Sequence, residues 1–393
     1  MLSVEETLGK ILAQVRPRAP RALPVREAVD RFATTDLFAQ TPLPPFDNSA
    51  MDGYAVVAAA CTLGGRLEVV GEQPAGRALG LTVRAGEAVR IFTGAPVPAG
   101  ADAVIMQEET EPGSGGITLL GEVTTGDLIR RRGGDVAEGQ RLIGTGERIG
   151  VQISALLAAQ GISSVQVGGE IRAAIISTGD EIAQPGRALE PGQIYDSNTV
   201  LLEGLLRKCG VKVTSLVHCR DRAEEIEAAL RSGAECDVMI ISGGVSVGAR
   251  DLVKPALSAV GATVDLWRVS VKPGRPFLFG HCGDCAIFGL PGNPVSAFVT
   301  FHLFVQPAVL KMMGAADESL LLRQVPARLG ARVQNDGSRP HYLRGRLTTG
   351  VFAPVGLQES HALFGLSRSN ALLRIEAGQT LAADSPVTPF LLD

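Results

Sequence analysis

Arg172-Ala173-Ala174-Ile175-Ile176 runs straight into Ser177-Thr178-Gly179-Asp180-Glu181. An apolar run of this length, without polar alternation, reads as a strand buried on both faces. A glycine turn with two carboxylates at a strand's carboxyl end is where an α/β sheet presents ligands to a metal or a phosphate. A solvated turn with a helix N-cap has the same local sequence. The segments that follow bear on the choice. Leu202, Leu205, Leu206 and Cys209 form a helical stripe ended by Gly210. Residues 211–217 read as a strand, 222–231 as a helix, and 237–242 as another strand followed by Gly243-Gly244. Such alternation predicts a parallel, doubly covered sheet that binds ligands at the carboxyl ends of its strands. The second strand ends in His218-Cys219-Arg220-Asp221. The third runs into Ser242-Gly243-Gly244-Val245-Ser246-Val247-Gly248-Ala249-Arg250-Asp251, whose glycines let backbone amides approach an anion. Three successive strands thus bring Glu181, Asp221 and Asp251 to one rim.

Further along, Val271-Lys272-Pro273-Gly274-Arg275-Pro276 sets two cations on a proline-bracketed turn suited to an oxyanion. Leu290-Pro291-Gly292-Asn293-Pro294-Val295-Ser296 opens a long helix over 295–313, presenting amides and the Ser296 hydroxyl at its positive end. Pro307 should kink or break that helix. His281-Cys282-Gly283-Asp284-Cys285 reads as a hairpin turn, because no second Cys pair has zinc spacing.

Towards the N-terminus, residues 151–160 read as a helix closed by Gly161. Residues 40–132 break into short apolar runs cut by Gly and Pro, which is β texture. That region holds Asp47-Asn48-Ser49-Ala50-Met51-Asp52-Gly53-Tyr54-Ala55, Phe92-Thr93-Gly94-Ala95-Pro96-Val97-Pro98 and, at its end, Arg130-Arg131-Arg132-Gly133-Gly134-Asp135. The arginine run is more often a solvated face than a ligand site. Ser3 and Glu6 have capping-box spacing ahead of Leu8, Ile11, Leu12 and Val15, and Val25, Ala28, Val29 and Phe32 suggest a second short helix. After Gly314 the pattern returns to β.

The 393 residues carry 37 basic and 41 acidic side chains, a net charge of −4, with 45% hydrophobic and 20% charged residues. This is a globular chain of two to four folding units. Its slight acidity and 4% aromatic content argue against nucleic-acid binding by bulk charge or base stacking. No apolar run approaches the roughly 20 residues of a bilayer span. The acidic start, Met1-Leu2-Ser3-Val4-Glu5-Glu6, lacks the features of a signal peptide. Six scattered cysteines are too few for a disulfide scaffold, and the cytoplasm is the expected compartment. The sequence has no Gly-x-Ser-x-Gly or Walker motif.

The order of these segments resembles the molybdopterin molybdenumtransferases, that is, the bacterial molybdenum insertases and the E domain of gephyrin. The likeness rests on Ser49-Ala50-Met51-Asp52-Gly53-Tyr54-Ala55, Thr93-Gly94-Ala95, Ser177-Thr178-Gly179-Asp180-Glu181, Asp196-Ser197-Asn198, the Ser242–Gly248 run, Lys272-Pro273-Gly274-Arg275-Pro276 and Pro291-Gly292-Asn293-Pro294. It implies a multidomain α/β and β fold: a discontinuous helical linker domain (1–39 and 133–169), an inserted β domain (40–132), a doubly wound α/β molybdopterin-binding domain (170–314) and a C-terminal β-barrel (315–393). It also implies a homodimer with a shared active-site cleft, Mg²⁺, and transfer of molybdenum from molybdate into adenylylated molybdopterin with release of AMP.

Carried over by motif, Asp52, Thr93, Glu181, Asp221 and Asp251 would be catalytic, and the last three would also hold the metal. Lys272, Arg275, Ser296, Arg344 and Ser360 would bind molybdate. Asp135, Asp196, Asn198, Ser242, Gly243, Gly244, Ser246, Pro291 and Pro294 would contact substrate. The implied partners are an upstream molybdopterin adenylyltransferase and downstream molybdenum-cofactor enzymes, with no nucleic acid and no membrane. The alternatives are the adenylyltransferase itself, whose single-domain fold resembles residues 171–314, and a non-catalytic scaffold. Departures from the family pattern are Gly134, Gly365-Leu366 and the single Asp221.

Overall fold

The computed structural model describes residues 1–245 and 252–392. It separates two compact units: Met1–Thr35, Thr145–Ser154 and Ser164–Asp393 form one, and Asp36–Gly144 with Ala155–Ser163 the other.

The smaller unit is built on a six-stranded sheet. Its strands are β1 (Gly53–Val56), β2 (Arg66–Gln73), β3 (Glu87–Ile91), β4 (Ala103–Met106), β5 (Thr110–Gly113) and β6 (Gly116–Leu119), in the order β4-β1-β3-β2-β6-β5. Strands β2 and β3 run parallel, and every other neighbouring pair is antiparallel. Tyr54, Val56, Leu67, Ala88, Ile105, Ile117 and Leu119 close one core, and Ala55, Ile91 and Val104 face a second. The β texture of residues 40–132 therefore reports a real sheet.

In the larger unit, α1 (Val4–Gln14) begins with the capping box expected of Ser3 and Glu6. The second short helix does not form. Arg21–Pro24 is instead a strand paired with Ser164–Val167, and only Val25–Glu27 turns, as a 3₁₀ segment. Long-range pairing overrides the local apolar spacing there. The helix α2 (Val151–Ala159), whose first residues belong to this unit and whose last to the smaller one, is followed by Gly161 at φ +76°, the left-handed position that closes it.

The α/β sheet contains β7 (Arg172–Thr178), β8 (Lys212–Cys219), β9 (Val238–Ser242), β10 (Thr263–Trp267), β11 (Leu278–Cys282) and β12 (Cys285–Leu290), ordered β8-β7-β9-β12-β11-β10. The first four in that order are parallel, as the alternation predicts. The last two are antiparallel, so the sheet is mixed, and the Cys282–Cys285 turn is the expected hairpin. Ile175, Ile240 and Phe288 face one core while Ile176, Ile241 and Ile287 face the other, which is why these strands read as continuous apolar runs. Helices α3 (Ser197–Lys208), α4 (Ala223–Gly233) and α5 (Val253–Ala259) connect them.

The long helix consists of α6 (Pro294–Thr300), a π segment at Phe301–Val305, and α7 (Gln306–Met312). Pro307 therefore does not break the helix. The wider π turn accommodates the ring and its missing N–H donor. This stretch of 19 residues is apolar and long enough to cross a membrane, contrary to the sequence expectation, yet 78% of its apolar window is buried inside the protein. It is a core helix, lying in the same cluster as α1 and one face of the sheet.

The C-terminal part forms a further six-stranded sheet with its own core of Leu329, Leu343, Phe352, Leu373 and Ile375. Its strand order ends on two edges, Pro386–Val387 and Phe390–Leu391, so the expected barrel is an open one.

Candidate active site

The parallel strands β7, β8 and β9 end on one side of a cavity of about 890 Å³ in the larger unit. Glu181 follows β7 and Asp221 follows β8, and both line it. The Asp221 amide donates to Asp180 Oδ1 at 3.3 Å, so the other carboxylate of the turn orients the second loop. Along the rim, Ser177 Oγ lies 3.0 Å from His218 Nδ1. Asn198 Nδ2 donates to Ser242 Oγ at 2.9 Å and to the Gly292 carbonyl at 2.7 Å. Asp196 lines the cavity too, but its carboxylate caps α3 by accepting from Thr199 N and Oγ1 at 2.9 and 2.7 Å.

Gly243 and Gly244 have φ of +88° and +61°, and a Cβ on Gly243 would come within 2.9 Å of the Thr178 carbonyl. Only glycine fits that close approach. Among the described residues, Thr178 Oγ1 and Asn198 Oδ1 are buried without a partner, and both belong to residues that line the cavity. Orphaned acceptors of this kind suit a ligand that brings N–H donors.

Three cations face these groups. The turn carrying Lys272 and Arg275 is held against the C-terminal sheet, where Lys272 N donates to the Pro340 carbonyl and Tyr342 N to that of Lys272, each at 2.8 Å. Arg339 lines the same cavity, with Nη1 donating to the Val271 carbonyl at 2.9 Å. Burial, and then the charge of Arg275, pulls the Arg339 pKa below its ordinary value, so the two guanidiniums lie within each other's field. Among the described residues, Lys272, Arg275 and Arg339 make no ion pair. Converging cations with no counter-ion form a site that an anion would stabilise. Ser296 and Ser360 add hydroxyls to the lining, and Asn293 Nδ2 holds Ser360 Oγ at 2.8 Å.

In the smaller unit, Asp52 Oδ1 accepts from Thr93 N at 2.7 Å and from Thr93 Oγ1 at 2.8 Å. These bonds, the backbone one first, hold its carboxyl below the usual carboxylate range. Asp135 is exposed, with its amide on the Leu43 carbonyl. The arginine run is partly neutralised, since Arg131 pairs with Asp47 at 2.7 Å and the Arg132 amide donates to the same carboxylate.

Three families match along the chain. Residues 2–161 match the MoeA N-terminal region (domain I and II), 174–311 the probable molybdopterin binding domain, and 326–388 the MoeA C-terminal region (domain IV). The chain is 35% identical to the molybdopterin molybdenumtransferase of Haemophilus influenzae, over 98% of each protein. It is 36% identical to molybdopterin molybdenumtransferase 2 of Mycobacterium tuberculosis, over 95% of each. The chain belongs to the molybdopterin molybdenumtransferase family. The crystal structure of the molybdopterin biosynthesis moeA protein from Pyrococcus horikoshii OT3 matches it with a TM-score of 0.86 and 29% identity, over the whole of both chains.

Against this family background, most motif-derived positions of the larger unit line one cavity: Glu181, Asp196, Asn198, Asp221, Ser242, Gly243, Gly244, Lys272, Arg275, Pro291, Pro294, Ser296 and Ser360. Arg344 does not. It is 1% exposed, and its guanidinium donates to the carbonyls of Leu357, Glu359 and Ala362. It therefore shapes the loop that carries Ser360 and does not itself reach the cavity. Ser246 and Asp251 lie outside the described residues. Among the described residues no three His, Cys, Asp or Glu side chains cluster as a metal site. Sequence reading missed Arg339. Arg339 has no motif signal beyond a Pro-flanked cation, Ser338-Arg339-Pro340, ahead of a strand.

Proposed function

We propose that this chain inserts molybdenum into the pterin cofactor: it binds adenylylated molybdopterin and molybdate, transfers the metal to the dithiolene and releases AMP. The observation that carries this reading is the triad Lys272, Arg275 and Arg339, without an ion pair among the described residues, in the cavity that Glu181 and Asp221 also line. Molybdate is a compact dianion, and fixed cations with hydroxyl donors are the groups that recognise one. Asn198 and Thr178 offer acceptors to a pterin's N–H groups. Ser296 and Ser360 donate to oxyanion oxygens.

The donor set fits Mg²⁺, which takes one or two carboxylates and completes its shell with water and substrate phosphate. Glu181 and Asp221 would hold it, and the ion would supply charge neutralisation at the phosphate. Asp52, kept ionised by Thr93, is assigned to the same reaction. We assign Asp135 to substrate contact as well. The four-domain division, a homodimer with a shared cleft, a cytoplasmic location, and supply by a molybdopterin adenylyltransferase for delivery to molybdenum enzymes complete the proposal. Adenylylation itself is the weaker reading, because the family likeness extends through both flanking β regions.

Lys272→Ala and Arg275→Ala test the site. Each removes a charge-assisted bond of about 1.5–3 kcal/mol, so the KM for molybdate should rise roughly ten- to hundredfold in folded protein. AMP and metallated cofactor are measured against molybdate concentration. An unchanged molybdate dependence in both variants removes the oxyanion from this turn.

A further inference from the structure

Arg90 is outside every motif that points to the site, yet its surroundings are more ordered than its partial exposure requires. It stands opposite Tyr54 in the β1–β3 register. Its guanidinium lies over two rings, 5.1 Å from the centroid of Tyr54 and 5.6 Å from that of Phe92. Nη1 donates to Tyr54 Oη at 3.0 Å, and Nη2 donates to Gln107 Oε1. Gln107 in turn donates its backbone N–H to the Asp52 carbonyl at 3.2 Å.

Asp52 precedes β1 and Thr93 follows β3, so the two residues whose bond makes the site end neighbouring strands. Arg90 spans those strands and reaches, through Gln107, the chain that follows β4. Among the described residues it has no carboxylate partner, and its charge contributes, after the two Thr93 bonds, to keeping the Asp52 carboxyl low.

We propose that Arg90 is a positioning residue for the reaction, holding Asp52 and Thr93 in register through Tyr54 and Gln107. The proposal rests on the reading of Asp52 as catalytic. A planar fork between two rings fixes direction as well as charge, which an ammonium cannot reproduce. Its role is in turnover, because a displacement of the reacting groups by about 1 Å costs up to about a hundredfold in rate.

The experiment compares Arg90→Gln, Arg90→Lys, Gln107→Ala and Asp52→Ala in turnover of adenylylated molybdopterin with molybdate, alongside thermal unfolding. In Arg90→Gln, kcat should fall about ten- to hundredfold, with both KM values within about twofold of wild type and the melting temperature little changed. Gln107→Ala should move kcat in the same direction by less, and it carries the test if Arg90→Gln does not fold. Arg90→Lys should not restore the rate. Wild-type kcat in Arg90→Gln, full rescue by lysine, or a rise confined to the KM for the adenylylated pterin would each overturn the positioning role. Asp52→Ala separates the two levels. If it turns over normally, the reading of Asp52 fails and takes the inference with it. If it is slow while Arg90→Gln is normal, only the inference fails.

Discussion

His302 lies inside the π segment with its ring centroid 4.4 Å from that of Phe298 and 5.7 Å from that of Phe301. Its Nδ1 is 2.6 Å from Gln306 Oε1, and burial pushes its pKa down to about 4. His341 is also pushed down to about 4, by burial first and then by Lys272, Arg344 and Arg339. Both rings are therefore neutral in the folded protein where the unfolded chain's histidines, near pH 6.5, already take up protons. The stability they allow is intact above pH 6.5 and declines as pH falls from there towards 4. For His302 alone the loss by pH 4.5 should be about 2–3 kcal/mol. Urea unfolding at pH 7 and 4.5 checks this: His302→Gln should lose less stability over that interval than wild type by about that amount, whereas parallel losses would show that the ring does not titrate. Residue-level legibility divides along similar physical lines. Lys272, Glu181 and Asp221 were readable because rigid turns and strand ends announce themselves locally. Arg339 was not, since what gives it meaning is a fold that returns the chain to Val271.

The turn carrying Lys272 and Arg275 depends on Gly274, which has φ +117° and whose added Cβ would lie 2.6 Å from Thr300 Cγ2. Thr300 is fully buried, and its hydroxyl donates to the Ser296 carbonyl at 2.7 Å, so it has little room to move. Gly274→Ala should cost roughly 1–3 kcal/mol and displace the turn against α6, raising the KM for molybdate as well as lowering the melting temperature. Gly9→Ala, in α1 with nothing within 4 Å of the new methyl, is the control and should be neutral or slightly stabilising. Equal behaviour of the two variants would mean that the turn relaxes freely. The elements legible in sequence were those whose signal is local. The capping box at Ser3 and the both-faces-apolar strands of the α/β sheet formed as expected. The apolar spacing from Val25 to Phe32 misled, because the strand Arg21–Pro24 finds its partner at Ser164–Val167, more than a hundred residues away in sequence, while Asp30 turns the chain at φ +63° and Phe32 bridges to Arg148. The π segment was illegible for another reason: Pro307 announces an interruption without specifying whether the helix breaks or widens.

At the scale of the whole molecule, Asp52 and Glu181 belong to different compact units, and the proposed homodimer would share its site between two copies of the chain. A symmetric dimer would then hold two equal sites, each drawing Asp52 from one chain and Glu181 from the other. Mixing Asp52→Ala chains with Glu181→Ala chains tests this without any structure of the assembly. In a mixed dimer with shared clefts, one site collects both lesions and the other has neither. Two proteins that are inactive alone should therefore recover about half the wild-type rate per mixed dimer. If the two residues act within one chain, every site keeps one lesion and the mixture stays inactive. Subunit exchange is verified by co-purifying differently tagged chains, and their mass establishes that the species is a dimer. Verified mixed dimers without activity would refute the shared cleft while leaving the oxyanion cavity of the larger unit untouched, since its cations, hydroxyls and carboxylates all come from a single chain.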